Sequence, residues 1–178
     1  TQGTAENLEL LRDPGSGVDA AFVQGGADSV QPPPGEHKQD GLVALGSLFH
    51  EPVWLFYREG SAKRRLGRPT MQALADLKGW SLNVGGPGSG VPNLTLRLLQ
   101  ANRIEPAGID MRTLGQTPAV VEMLEGRIDA VIFVSAPEAP LVQMLLQTPG
   151  IRLFDWVQAE AYSRRYTFLA PVVLPRGV

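Results

Sequence analysis

Residues 84–93 read V-G-G-P-G-S-G-V-P-N and stand between an apolar run at 80–84 and a leucine-rich stretch at 94–99. The apolar run is short and bounded by turn residues, as a buried strand is. Pro92 sits where a first helical turn tolerates proline. A strand that passes through glycine into a helix is the joint of an α/β fold. It leaves two readings of the glycines open. They form a bare turn, because glycine reaches positive φ without steric cost. Or they let the backbone come close to a ligand, because the free N–H groups of a helix start carry partial positive charge.

The nucleotide motifs do not fit. A phosphate-cradling loop of the Walker type ends in Gly-Lys-Ser/Thr, and here the order is Gly88-Ser89-Gly90 with no lysine. The dinucleotide fingerprint needs Gly-x-Gly-x-x-Gly, which Gly86, Gly88 and Gly90 do not supply. A nucleophile elbow needs glycine two residues before the serine, where Pro87 stands. What fits is a site for an anionic or strongly polar group. No lysine or arginine lies in the loop itself, so the loop would hold such a group by dipoles.

The rest of the chain repeats the alternation of strand and helix. Helices are expected over 4–12, 71–77, 92–102, 118–125 and 140–147. Strands are expected over 18–24, 42–48, 53–57, 80–84, 108–112, 128–134 and 151–156. The run at residues 32–35 (P-P-P-G) breaks regular structure, His37, Lys38 and Asp40 make a polar loop, and residues 59–70 read as a flexible loop. Alternating apolar strands and helices argue for an α/β class.

Two stretches of the chain begin alike. Gly3-Thr4-Ala5-Glu6-Asn7-Leu8 parallels Gly88-Ser89-Gly90-Val91-Pro92-Asn93-Leu94, with one residue more in the second copy. Each copy is followed by a similar strand opening, Val18-Asp19-Ala20 and Ile128-Asp129-Ala130. This is either a chance likeness of short α/β pieces or the mark of two lobes, each presenting a helix start to a shared cleft.

The chain has 178 residues, a formal net charge of −2 and 43% hydrophobic content. That suffices for one sizeable core or two small lobes. It offers no electrostatic case for nucleic acid or an anionic membrane surface. Cysteine is absent, which excludes disulfides and thiolate metal sites. His37 and His50 have no acid at metal-ligand spacing, and the carboxylates are scattered, so no acid–base pair can be argued.

Five stretches together resemble a known family: T-Q-G-T-A-E-N-L-E-L-L, V-D-A-A-F-V-Q-G-G, A-D-L-K-G-W-S-L-N-V-G-G-P-G-S-G, L-E-G-R-I-D-A-V-I-F and V-V-L-P-R-G-V. In this order they are similar to the TAXI type of TRAP-transporter solute-binding proteins. The resemblance implies a two-lobe, periplasmic-binding-protein-like α/β fold of the second class, joined by a hinge. It implies capture of a small organic acid or amino acid in the cleft and delivery to TRAP membrane permease subunits, in a periplasmic or otherwise extracytoplasmic place. It requires no cofactor and no metal, and it allows membrane attachment through segments outside this chain. The family's first strand ahead of Thr4, and its C-terminal part beyond Val178, are not in this sequence. The first lobe (1–58 and 168–178) is therefore expected to be incomplete, beside a second lobe at 72–160 and crossing segments at 59–71 and 161–167. Val91 and Pro92 depart from the threonine-bearing continuation usual after Gly-Ser-Gly.

The candidate ligand-binding residues follow, each with its plainer reading. Thr4 and Ser89 are helix N-caps, worth about 1 kcal/mol, or contacts that aim hydroxyls into the cleft. Gly88, Gly90 and Val91 would give backbone N–H groups. Gln24 ends a strand and either orders its loop or binds a polar ligand. Phe49 is core or a ligand platform, and Glu51 pairs a ligand amine or marks a turn before Pro52. Ser135 and Pro137 would line the cleft wall, while Phe133 suits the core. Two other functions share such a fold: a ligand-sensing domain of a transcription regulator, and an enzyme.

Overall fold

The computed structural model describes residues 3–27 and 41–174. The expected break at residues 32–35 and the loop of His37, Lys38 and Asp40 lie outside them. The described chain is a mixed five-stranded sheet between two layers of helices. Its elements are α1 (Thr4–Arg12), β1 (Val53–Arg58), α2 (Glu59–Leu66), β2 (Ser81–Asn83), α3 (Val91–Ala101), β3 (Asp110–Arg112), α4 (Gln116–Leu124), β4 (Ala130–Val134), α5 (Pro140–Gln147), β5 (Ile151–Leu153) and α6 (Ala159–Arg165). The strand order is β3-β2-β4-β1-β5. β2 runs parallel to both β3 and β4, and β1 is antiparallel to β4 and β5.

The period-2 alternation of the inner strands builds a core on each face. Leu55 and Tyr57 of β1, with Ala130, Ile132 and Val134 of β4, pack against Leu94, Leu98 and Leu99 of α3. Trp54 and Phe56, with Val131 and Phe133, pack against Val120 and Met123 of α4 and Val142 and Leu145 of α5. Every residue of β4 is buried, as a strand covered on both faces requires.

Three expectations are corrected here. Residues 59–70 do not form a loop: 59–66 are α2. The helix is stable because Ser61 and Ala62 are buried beside the sheet and Lys63 reaches Glu59 one turn back at 2.5 Å. Gly67 closes it in the left-handed region.

The second correction concerns β1, which was expected in the first lobe and is instead an inner strand of this sheet, hydrogen-bonded on both sides. The third concerns 18–24 and 42–48, where no strand forms. Phe22, Val43 and Leu45 are 74%, 80% and 89% exposed. A strand needs a partner strand, and no described strand runs beside either segment. The segment expected to cross back, 161–167, is largely helical within α6.

A buried asparagine fixes the sheet edge from which the glycine loop leaves. Asn83 donates through Nδ2 to the Leu114 carbonyl at 3.1 Å and accepts from the Leu114 N–H at 2.8 Å. Asn83→Ala is expected to cost about 2 kcal/mol through loss of both bonds, read as a lower urea midpoint with an unchanged slope.

Candidate ligand-binding site

Because β2, β3, β4 and β5 point the same way, the connections after them leave from one edge of the sheet. This is the edge at which open α/β sheets place ligands. The chain enters β1 from that edge as well. The Ser135 N–H meets the Pro52 carbonyl at 3.4 Å, and the Trp54 indole N–H donates to the Ser135 carbonyl at 2.9 Å.

The glycine loop is built from short, local bonds. Val84 N–H donates to the Arg112 carbonyl at 2.9 Å, which ends β2's pairing. Gly85 then takes φ +88°, and a Cβ there would lie 2.9 Å from Ser89 Oγ and 3.3 Å from Val91 Cβ. Only glycine fits that combination. Ser89 N–H closes a turn onto the Gly86 carbonyl at 3.0 Å, and Leu94 N–H bonds the Gly90 carbonyl at 3.1 Å as α3 begins.

The two helix starts that read alike in the sequence meet in space. The Ala5 N–H in the first turn of α1 donates to the Gly88 carbonyl at 3.1 Å. One orphan donor of α1 is thus satisfied by the glycine loop rather than pointing at open solvent. Thr4 and Ser89 do not hold the N-cap positions expected of them, which belong to Gly3 and Gly90. Thr4 Oγ1 instead accepts from the Gln24 N–H at 3.0 Å and ties the 24–27 turn to α1. Ser89 Oγ turns back to the Val91 N–H at 3.3 Å.

Gln24 lies against the start of α3. A Cβ at Gly90 would overlap Gln24 Oε1 and lie 3.4 Å from Gln24 Cδ. Beside this contact is a crevice of about 10 Å³, lined by Gln24, Gly90, Asn93, Arg97 and Phe168. It is large enough for about one water. The sequence reading missed Asn93, Arg97 and Phe168. The signal for two of them was helical spacing, because Gly90, Asn93 and Arg97 fall at i, i+3 and i+7 on one face. Arg97 adds a guanidinium to a site expected to rely on dipoles alone. Its central carbon stands 5.7 Å from the Phe168 ring centroid, within cation–π range.

The remaining candidates are placed as follows. Ser135 and Pro137 follow β4 at the same edge. The Ser135 backbone serves the sheet, and the Pro137 carbonyl accepts from Gln143 Nε2 at 2.9 Å. Phe49 is 69% exposed and Glu51 is exposed. Phe133 is buried among Trp54 and Phe56.

A larger groove of about 400 Å³ lies at the other end of α3, lined by Asn102, Gln158, Tyr162, Arg164 and Arg165. It lies between the last turn of α3 and the start of α6, whose N-cap is Gln158; Arg164 pairs with Glu160 at 3.1 Å and Arg165 lies over the Tyr166 ring.

Similar structures include an ancestral arginine-binding protein bound to arginine, at 21% identity and a TM-score of 0.42, covering 60% of this chain and 41% of that one. The alkanesulfonate-binding protein SsuA from Xanthomonas axonopodis pv. citri bound to MOPS matches at 20% identity and a TM-score of 0.46, covering 65% and 39%. CbnR, a LysR family transcriptional regulator, matches at 20% identity and a TM-score of 0.40, covering 58% and 33%. The chain thus spans about two fifths or less of the length of these structures. Among the described residues no helix is long and apolar enough to cross a membrane. The family model described as NMT1-like matches residues 1–178, and the chain belongs to the NMT1-like family.

Proposed function

We propose that this chain is the solute-capturing part of a TRAP-type transport system of the TAXI kind, working outside the cytoplasm. It takes a small organic acid or amino acid and passes it to membrane permease subunits. It binds and releases its solute without converting it. The observation that supports this reading most is the meeting of Thr4, Gln24 and residues 88–91 at the carboxyl edge of the sheet. There the start of α3 and the Arg97 guanidinium both favour a negative group. In this reading the sheet from Val53 to Leu153 is the core of one lobe, the segments before residue 53 and after Phe168 belong to the other, and Phe49, Glu51, Ser135 and Pro137 border the cleft between them.

The test is a thermal-shift screen over organic acids and amino acids, followed by calorimetry on the hits. A solute that binds only the folded chain raises its melting temperature by mass action. Ser89→Ala is expected to weaken the best hit by about 1 kcal/mol, roughly fivefold, because the turn loses its hydroxyl acceptor and its candidate ligand contact together. No stabilisation by any acid or amino acid, or full affinity in Ser89→Ala, counts against the reading.

A further inference from the structure

Residues 3–27 are bonded to one another along their own length. Gln24 N–H donates to Thr4 Oγ1 at 3.0 Å, Asn7 Nδ2 donates to the Phe22 carbonyl at 2.8 Å, and the Ser16 hydroxyl donates to the Leu10 carbonyl at 2.6 Å. These bonds join α1 and the 24–27 turn into one unit. Of its residues only Leu8 is buried, and none belongs to either core layer of the sheet. A unit with so little buried apolar surface opens at lower cost than the core beside it.

The unit sits on the glycine loop. Ala5 N–H donates to the Gly88 carbonyl at 3.1 Å. A second contact is aromatic, where the Phe168 ring lies against the backbone of Gly25 and Gly26. A Cβ at Gly25 would lie 3.2 Å from Phe168 Cβ, and a Cβ at Gly26, where φ is +80°, would overlap the ring. Phe168 is itself fastened to the sheet body. The Tyr166 hydroxyl donates to the Arg97 carbonyl of α3 at 2.9 Å, Tyr166 N–H donates to the Tyr162 carbonyl of α6 at 2.8 Å, and Leu169 N–H closes a turn onto the Tyr166 carbonyl at 2.9 Å. The Tyr166 and Phe168 ring centroids stand 5.6 Å apart, and Phe168 packs on the core layer that contains α3.

From this we infer that residues 3–27 form a flap that opens and closes over the glycine loop, and that Phe168 is the clasp that holds it shut. Glycine at 25 and 26 lets a ring lie flush on the turn. The flap is a property of the chain with or without a solute. In the reading proposed above it controls access to residues 88–91, because a ligand's apparent affinity falls with the fraction of time its site is covered.

The chain has no cysteine, so one introduced thiol reports opening at one place. Leu8→Cys puts it under the flap, at a residue 7% exposed, and Val142→Cys puts it in the core between the sheet and α5, at a residue 0% exposed. Both would be labelled with iodoacetamide in native buffer with no solute present, so the outcome is independent of the solute site. The thiol of Leu8→Cys is expected to react about tenfold faster than that of Val142→Cys. Adding Phe168→Ala is expected to speed the Leu8→Cys reaction by a further factor of about five and to leave Val142→Cys within about twofold. Gly26→Ala attacks the same contact from the flap side, leaves the core layers untouched, and is expected to act in the same direction. Equal rates at the two positions in the otherwise unaltered chain overturn the flap. A Leu8→Cys rate that Phe168→Ala and Gly26→Ala leave unchanged, or change only in step with Val142→Cys, overturns the clasp.

Discussion

Asp129→Ala is expected to destabilise the chain by about 3 kcal/mol, because it leaves buried hydrogen-bond donors without their acceptor. Asp129 is 4% exposed at the edge of the sheet opposite the glycine loop. It accepts from Ser61 Oγ at 2.6 Å, from the Ser81 N–H at 3.0 Å and from Ser81 Oγ at 3.2 Å, and it pairs with Arg64 at 3.2 Å and Arg65 at 3.1 Å. One carboxylate thus joins α2 to β2 and β4. Its removal leaves the Ser81 N–H and the Ser61 hydroxyl without their acceptor. Ser61→Ala removes a single bond and is expected to cost about 1 kcal/mol. Urea denaturation of the two variants and the parent checks the order. Burial pushes the Asp129 carboxyl up, but the Ser61 hydroxyl, the Ser81 N–H and the Arg65 charge together hold it below the usual aspartate range. A carboxyl depressed in the folded state adds stability above its unfolded value, near pH 4, and that contribution is lost as pH falls through the lower folded value. The parent should therefore lose stability below about pH 4 more steeply than Asp129→Ala does.

Gly85→Ala is expected to lower solute affinity by about 100-fold, near 3 kcal/mol, and to cost about 1 kcal/mol of stability. The stability term comes from a side chain forced to φ +88°. The binding term comes from the new Cβ, which would meet Ser89 Oγ at 2.9 Å and Val91 Cβ at 3.3 Å and push residues 89–91 out of place. Gly86→Ala is the control, since a Cβ there meets nothing within 4 Å, and it should bind as the parent does. Calorimetry with the solute found by the screen, paired with urea denaturation, separates the two terms.

The second half of the chain was legible in the sequence because its signals are local. Apolar runs at 80–84, 128–134 and 151–156, each bounded by glycine, proline or charge, gave β2, β4 and β5 within a few residues. The proline at each helix start marked α3 and α5. The first half failed where pairing decides the outcome. Residues 18–24 and 42–48 carry strand composition but have no strand beside them. β1 was found, yet its place between β4 and β5 depends on partners roughly 75 to 100 residues away, which no local pattern encodes. α2 was misread because Gly60 and Ser61 look like loop residues, and the Asp129 contact that secures the helix is distant in sequence. At the site, the likeness of the two helix starts pointed to their meeting. It did not reveal that α1 would grip the Gly88 carbonyl, or that Arg97 would stand two turns into α3 beside Gln24.

The most direct measurement of the central claim is a crystal structure of the chain with the solute found by the thermal screen. The account predicts an anionic oxygen of the solute within hydrogen-bond distance of at least two backbone N–H groups among Gly88, Ser89, Gly90 and Val91. A solute seated in the groove between α6 and the far end of α3, with residues 88–91 untouched, would contradict it and reduce the glycines to a turn.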